Sequence, residues 1–404
     1  MKVAESGYFR FLGNIHAEKD INLSILCRNY SAVVLASGTS RDKALGIPGE
    51  NCLNVFSARE FVNWYNGYPE NHRLSDNLNS IHDVNSVAII GQGNVALDCA
   101  RILAKRNDEQ LSSTDISTHA LKALRQMHNL RDIFVIGRRG PVQAAFTIKE
   151  LRELTKLSGA VTSIEQRDLA EGDTLASQEE LLHIPGKRRI HELMMKIASS
   201  DSSSSTQDSG NDPTKIHLQF LRSPVRILSD GVGRVSGVEV ERTRLEGVAG
   251  RQRAVGTGVK DTIPCQLLLR SVGYEAAPFA GLQIDPITRG LRHLKGRVLS
   301  HDGAPIPGLY VTGWLKRGPV GILGTNIPDA RETAEAVLED LRSGLLGRNL
   351  DPEKDPIEDP AMKTVLEKAG KGKPTVLSAH YILHRTALCL SGSYLAGVSE
   401  DRCV

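Results

Sequence analysis

No charge-free apolar run in this 404-residue sequence reaches the length that a membrane-spanning helix needs. A surplus of charge is missing as well. The 50 Lys and Arg against 47 Asp and Glu leave a formal +3, too even for wholesale nucleic-acid binding, although a local basic patch can still recruit an acidic partner. Paired cysteines are absent too: Cys27, Cys52, Cys99, Cys265, Cys389 and Cys403 are scattered, with no C-x-x-C pair and no metal-ligand spacing. That points to a reducing compartment, argues against a dithiol redox centre and leaves no metal site to assign. Residues Met1 to Phe11 carry neither the apolar core of a secretory signal nor the Arg- and Ser-rich amphipathic pattern of an organellar transit peptide. The remainder is ordinary globular composition, 40% hydrophobic and 24% charged, on a chain long enough for two or three domains.

Short apolar runs that end in glycine alternate with helical stretches. The runs are Ala32–Ala36 before Gly38, Val87–Ile90 before Gly91, Ile133–Ile136 before Gly137, Leu267–Leu269 before Gly273 and Leu309–Val311 before Gly313. Helical periodicity marks Val95–Lys105, Thr147–Leu157, Arg189–Ala198 and Ala330–Leu341, with apolar residues returning at three- and four-residue steps. Strand, glycine and helix in repetition predict an α/β fold with parallel sheets. Ser199–Pro213 is too polar to bury and reads as a surface loop, and the Pro-, Lys- and Glu-rich Asp351–Lys373 reads as a loop or wrapping segment.

Gly91-Gln92-Gly93-Asn94-Val95-Ala96 has the form G-x-G-x-x-A between an apolar strand and a helical run. The context is what a dinucleotide requires. Gly91 permits the tight turn, Gly93 lets a pyrophosphate approach backbone N–H groups at the helix start, and Ala96 keeps helix and strand close. The next strand ends in Gly137-Arg138-Arg139-Gly140, where NAD-binding folds usually offer an acid to the ribose. Guanidinium groups there suit a 2′-phosphate, so NADP(H) is favoured over NAD(H). Gly91 and Arg138 stand more than twice the usual ~20 residues apart, an excess ascribed to an additional helical segment around Ser113–Gln126.

Longer strings carry a resemblance: Leu45–Glu50, Phe61–Gly67, Gly91–Leu103, Gly137–Glu153 and Gly313–Pro319, within a match covering roughly residues 8–381. Together they resemble the mitochondrial-type adrenodoxin/ferredoxin–NADP reductase family. The resemblance implies an α/β architecture of two Rossmann-like dinucleotide-binding domains of the glutathione-reductase type. In such enzymes NADPH reduces FAD, which passes electrons to an acidic 2Fe–2S ferredoxin of the adrenodoxin kind. By matching position, Gln92, Gly93, Asn94 and Val95 hold the pyrophosphate, Arg138 and Arg139 the 2′-phosphate, and Glu150 the same nucleotide. Trp314, Gly321, Ile322 and Leu323 lie against FAD, and Ala17 is counted with the cofactor-binding positions. The glycine-rich Gly318–Gly324 before a helix supports this independently, since helix-start N–H groups stabilise negative charge. Asp98 matches a carboxylate that relays protons beside a histidine, although a helix-surface acid would read the same way. Arg152, Lys187, Arg188 and Arg189 match basic docking positions for the ferredoxin, and the implied location is mitochondrial.

The resemblance also sets three segments: 1–44 as a remnant of the FAD domain, 45–278 as an inserted NADP domain, and 279–404 as the rest of the FAD domain with a tail. The FAD domain's own G-x-G-x-x-G loop and ribose-binding acid are not found in Met1–Asn85, so that domain is read as incomplete, with some eighty to a hundred residues expected upstream from the resemblance. The alternative reading is a truncated, inactive NADP-binding remnant. A flavin disulfide reductase is disfavoured by the scattered cysteines, and the flavin module of amidotransferase-type synthases by the lack of cysteine-rich cluster segments.

Overall fold

The computed structural model describes residues 15–39, 41–68, 84–200, 213–277, 279–321 and 323–346, with short pieces at 71, 74, 359–360, 362–364, 367 and 388–390. Ile322, the Ser-rich 201–212, most of 351–373 and nearly all of 1–15 therefore lie outside the described residues. Two compact units emerge. One comprises residues 44–272, and the other takes the chain on either side; the second crossing falls at Val272–Gly273, against 278 from the sequence.

The 44–272 unit is built on a six-stranded sheet in the order Val55–Ser57, Leu267–Arg270, Ser86–Ile90, Asp132–Ile136, Thr214–Gln219 and Ala160–Ser163. Every pairing in it is parallel. All five residues of Ser86–Ile90 are buried, which is why the strand reads as an unbroken apolar run instead of an alternating one. Its residues still alternate between two cores. Val87 and Ile89 pack with Phe61, Trp64, Leu97, Leu124 and Met194 of the helical layer. Ala88 and Ile90 face the opposite way, onto Ile227, Val238, Val240 and Ile263. Those last residues belong to a three-stranded antiparallel sheet, Arg222–Ser229, Val235–Glu246 and Arg253–Pro264, that covers the second face. The extra helix Thr118–Gln126 occupies the stretch between the Gly91–Ala96 turn and the arginine pair.

Helix Ala58–Tyr65 starts at a capping box, the Ser57 hydroxyl accepting from Glu60 N at 3.1 Å while the Glu60 carboxylate accepts from Ser57 N at 2.7 Å. Just upstream, the Leu45–Glu50 string closes on itself. Glu50 accepts from the amides of Leu45 and Gly46, both at 2.7 Å, and pairs with Arg270 at 2.7 Å across 220 residues of sequence. Burial works against its charge, but the two amides and Arg270 outweigh it and hold the Glu50 carboxyl below the usual range. A depressed folded value stabilises the fold above the unfolded carboxylate pKa of about 4.3, and that contribution is lost as pH falls through the folded value. Glu50→Gln is therefore expected to lower the urea midpoint of this unit at pH 7 and to converge with the parent chain as pH falls through the depressed Glu50 value. A constant gap from pH 7 to pH 3 would contradict this.

In the other unit, Val33–Leu35 pairs in parallel with Pro305–Val311 and with Leu388–Leu390, and the Arg297–Leu299 and His293–Leu294 strands continue the sheet antiparallel. Val33, Leu35, Leu309 and Val311 join Leu26, Leu291, Val298 and Leu315 in its core. Tyr310 points to the opposite side with Ala336 of helix Asn326–Arg342. Among the described residues no helix is long and apolar enough to cross a membrane.

Candidate functional site

In the 44–272 unit the register sets Ile90 beside Ile136 and Ile136 beside Gln219, so three parallel strands end level. Nucleotides bind at this carboxyl edge of open α/β sheets. Gly91 leaves the first strand at φ 124°, and a Cβ there would lie 2.1 Å from the Ser271 carbonyl oxygen, so both backbone conformation and space demand glycine. Helix Asn94–Ala104 then begins at Gly93, where nothing stands within 4 Å of the position a Cβ would take. The amides of Gln92, Gly93, Asn94 and Val95 find no acceptor among the described residues. Four unpaired N–H groups at the positive end of an 11-residue helix, with open space at its cap, fit a pyrophosphate.

The side chains of this loop are occupied elsewhere. Gln92 Nε2 donates to the Gln219 carbonyl at 2.7 Å, and Asn94 Oδ1 accepts from Thr147 N at 2.8 Å. The backbone is thus what the loop offers an anion. Thr147 caps helix Ile148–Leu154, and its hydroxyl donates to Glu150, so Glu150 is tied to the same local network.

Arg138 and Arg139 are both exposed at the end of strand Asp132–Ile136. Their backbone is pinned: the Arg138 carbonyl accepts from the Thr243 hydroxyl at 2.7 Å and the Arg139 carbonyl from Leu221 N at 3.1 Å. Neither guanidinium has a carboxylate partner among the described residues. Desolvation by the surrounding protein and then the neighbouring Arg138 push the Arg139 pKa down. Glu180 acts on Arg139 from a distance, but no carboxylate among the described residues is directly paired with either arginine, and two such adjacent cations are what a dianionic 2′-phosphate would neutralise.

Asp98 lies on helix Asn94–Ala104 with both oxygens engaged. Tyr65 OH donates to one at 2.9 Å, and Arg101, one turn on, donates to the other. Burial and then Asp98 push the Tyr65 phenol far up, so it remains a donor at any ordinary pH. The arrangement ties helix Ala58–Tyr65 to helix Asn94–Ala104.

The four basic positions differ in their freedom. Lys187 is paired with the buried Glu180, and Arg188 stands 3.9 Å from Glu192. Arg152 and Arg189 are exposed and have no acidic partner among the described residues. Both helices that carry them bury residues in one core, Leu151 and Leu154 with Met194 and Ile197.

Trp314, Gly321, Leu323 and Ala17 belong to the other unit. Ala17 sits in a tight turn, bridged to Ile21. Trp314 opens a short helix after Gly313, half-buried and stacked on Tyr274 with ring centroids 5.8 Å apart. Gly321 is at φ 92° before the turn Leu323–Thr325, and helix Asn326–Arg342 starts there without a side-chain cap. A Cβ on Gly324 would meet nothing within 4 Å. An uncapped start to a 17-residue helix beside open space suits an anionic ring system.

Sequence reading missed what supports this turn. Lys316, 2% exposed, donates through Nζ to Glu332 at 2.6 Å and to Thr333 Oγ1 at 3.1 Å, and lies 3.2 Å from Asp329 Oδ1. Asp329 in turn accepts from Thr312 Oγ1 at 3.0 Å and from Gly313 N. No local signal would have exposed it, because lysine and aspartate on successive helices normally read as solvated surface.

Among the described residues no group of His, Cys, Asp and Glu could hold a metal ion. Cys27, Cys52, Cys99 and Cys265 are free, and burial pushes the Cys265 thiol up to about 12.

No family model matches the chain. Curated relatives do. The chain is 44% identical over 351 residues to NADPH:adrenodoxin oxidoreductase, mitochondrial, of Arabidopsis thaliana, covering 85% of this chain and 71% of that protein. It is 40% identical over 351 residues to the mitochondrial enzyme of the same name from Mus musculus, covering 85% and 67%. Among solved structures, Mycobacterium tuberculosis FprA in complex with NADPH superposes with a TM-score of 0.78 at 32% identity, covering 92% of this chain and 76% of that one.

Proposed function

The chain belongs to the NADPH:adrenodoxin oxidoreductase family, and from that premise we propose that it moves electrons from NADPH, through FAD, to a small iron–sulfur ferredoxin of the adrenodoxin kind. The observation that carries the reading is the pairing of an open amide cradle at Gln92–Val95 with two arginines at the end of the next strand that have no ion-pair partner among the described residues. The cradle takes the pyrophosphate, and Arg138 and Arg139 take the 2′-phosphate that separates NADPH from NADH. Glu150 and Thr147 orient the neighbouring helix start toward the same nucleotide.

Bound FAD supplies the conversion of a two-electron donor into single electrons suited to an iron–sulfur cluster. Around it Trp314 offers an aromatic wall, Gly321 and Leu323 shape the turn, and the start of helix Asn326–Arg342 stabilises negative charge. Ala17 is a further FAD-side position, and Ile322 is assigned to the same turn from the sequence. Asp98 holds Tyr65 and Arg101, which supports a positioning role beside the nucleotide helix alongside the proton relay inferred from resemblance. The mitochondrial names of the plant and mouse relatives support a mitochondrial location. The test is to supply the purified chain with FAD and NADPH and to follow ferredoxin-coupled cytochrome c reduction. Failure to bind NADPH would overturn the proposal.

Docking of an acidic ferredoxin is assigned to the face of Arg152, Lys187, Arg188 and Arg189, with Arg152 and Arg189, which have no acidic partner among the described residues, contributing most. Reversing both to Glu is expected to slow ferredoxin-coupled cytochrome c reduction roughly tenfold at low salt. Ferricyanide reduction, which needs no docking, is expected to stay within about twofold, and the defect to shrink as salt screens the interaction. Equal slowing of both reactions would point to damage in the nucleotide unit instead.

A further inference from the structure

The amide cradle binds a group common to NADPH and NADH, whereas the arginine pair binds one that only NADPH carries. Discrimination therefore depends on how well Arg138 and Arg139 are held relative to the cradle. One side chain spans the two. Gln92, inside the G-x-G-x-x-A loop, donates Nε2 to the Gln219 carbonyl at 2.7 Å and reaches the Val135 carbonyl at 3.4 Å. Gln219 O also accepts from Gly137 N at 2.9 Å, so the Gln92 amide and the residue immediately before the arginine pair share one acceptor. Gln92's own carbonyl accepts from Ala145 N at 3.0 Å, beyond the pair. The segment carrying both arginines is thus bracketed on each side by a single residue of the pyrophosphate loop.

Gly137 shows how tight the seat is. A Cβ built there would lie 2.2 Å from Gln92 Oε1 and 2.3 Å from its Cδ. Gly137 does not need glycine for its backbone, since its φ is not positive. What it provides is room for the Gln92 side chain.

We propose that Gln92 is a positioning residue for nucleotide choice, its side chain setting the distance between the pyrophosphate cradle and the Arg138–Arg139 pair. The inference rests on the NADP(H) reading above. Removing the side chain leaves Gly91, Gly93 and the cradle amides in place, because those are backbone groups, but takes away the side chain seated against Gly137, so the arginine segment keeps its own backbone bonds and loses its spacer to the pyrophosphate loop. The loss should then fall mainly on the nucleotide bearing the 2′-phosphate.

Three variants of the full chain test this: Gln92→Ala, Gly137→Ala and the two combined, each titrated with NADPH and with NADH by calorimetry. In Gln92→Ala the NADPH-over-NADH preference is expected to shrink about tenfold, the worth of roughly one well-made hydrogen bond network. Gly137→Ala, which displaces the amide without deleting it, is expected to reproduce that loss. The combined variant should be no worse than either alone, because the new methyl group then has nothing to strike. A purely structural role would weaken both nucleotides alike and lower the melting temperature, leaving the preference unchanged. That result, or additive losses in the combined variant, would overturn the inference. If the parent chain shows no NADPH preference at all, the fault lies with the NADP(H) reading and not with Gln92.

Discussion

Alanine at both Arg138 and Arg139 is expected to weaken NADPH binding by about 3 kcal/mol or more, at least a hundredfold, from two charged hydrogen-bonding partners worth ~1.5–3 kcal/mol each. NADH, with a hydroxyl where NADPH has a phosphate, should lose no more than about threefold. The magnitude follows from the state of the two guanidinium groups. Neither is committed to a carboxylate among the described residues, so their removal breaks no internal ion pair and leaves no acid stranded. Their backbone is held by Thr243 and Leu221, contacts that alanine retains. Folding should accordingly be unaffected, and the melting temperature is the control. Titration calorimetry of both nucleotides against parent and variant decides the matter. Equal losses for NADPH and NADH would show that the pair does not read the 2′-phosphate.

Replacing Lys316 by Met should cost the other unit about 3 kcal/mol of stability, the lower end of the range for breaking a buried ion pair. Methionine keeps the length of the side chain, so packing changes little. What goes is the ammonium group that neutralises Asp329, 7% exposed, and that bonds Glu332 and Thr333. Asp329 then keeps its bonds to Thr312 and Gly313 and the distant Arg317 at 3.9 Å, which is why the loss stays at the low end. Because Asp329 also clamps the turn that presents Trp314, FAD retention should fall with stability. Urea unfolding followed by tryptophan fluorescence measures the first effect, and flavin absorbance per chain the second. A loss under about 1 kcal/mol would mean that the cluster is solvated and does not hold the turn.

The sequence was most explicit where neighbours in the chain make the structure. Val87–Ile90 reads as a strand because both of its faces are buried, and Gly91 reads as a turn because only glycine tolerates φ 124° beneath the Ser271 carbonyl. Helix Pro185–Ser200 was found from Arg189 onward, its first turn being hidden by a proline that in fact starts it. The antiparallel sheet was overlooked despite an available signal, the Val-Glu-Val-Glu alternation at 238–241. Most of Arg253–Pro264 is exposed, and a strand on which only Ile263 is buried carries little apolar pattern to detect.

By itself, then, the sequence determined the parallel α/β pattern, the glycine turn after Val87–Ile90, the place of the arginine pair at a strand end and the family. Tertiary structure alone decided which of the candidate side chains are free to act. It left Arg138, Arg139, Arg152 and Arg189 without an ion-pair partner among the described residues, committed Lys187 to Glu180, turned the side chains of Gln92 and Asn94 inward, and joined Glu50 to Arg270 across the whole unit. Turns and periodicity are properties of adjacent residues, set by local sterics and burial. A partner is chosen by the register of strands that meet only once the chain has folded, and that register is written in no single stretch of sequence.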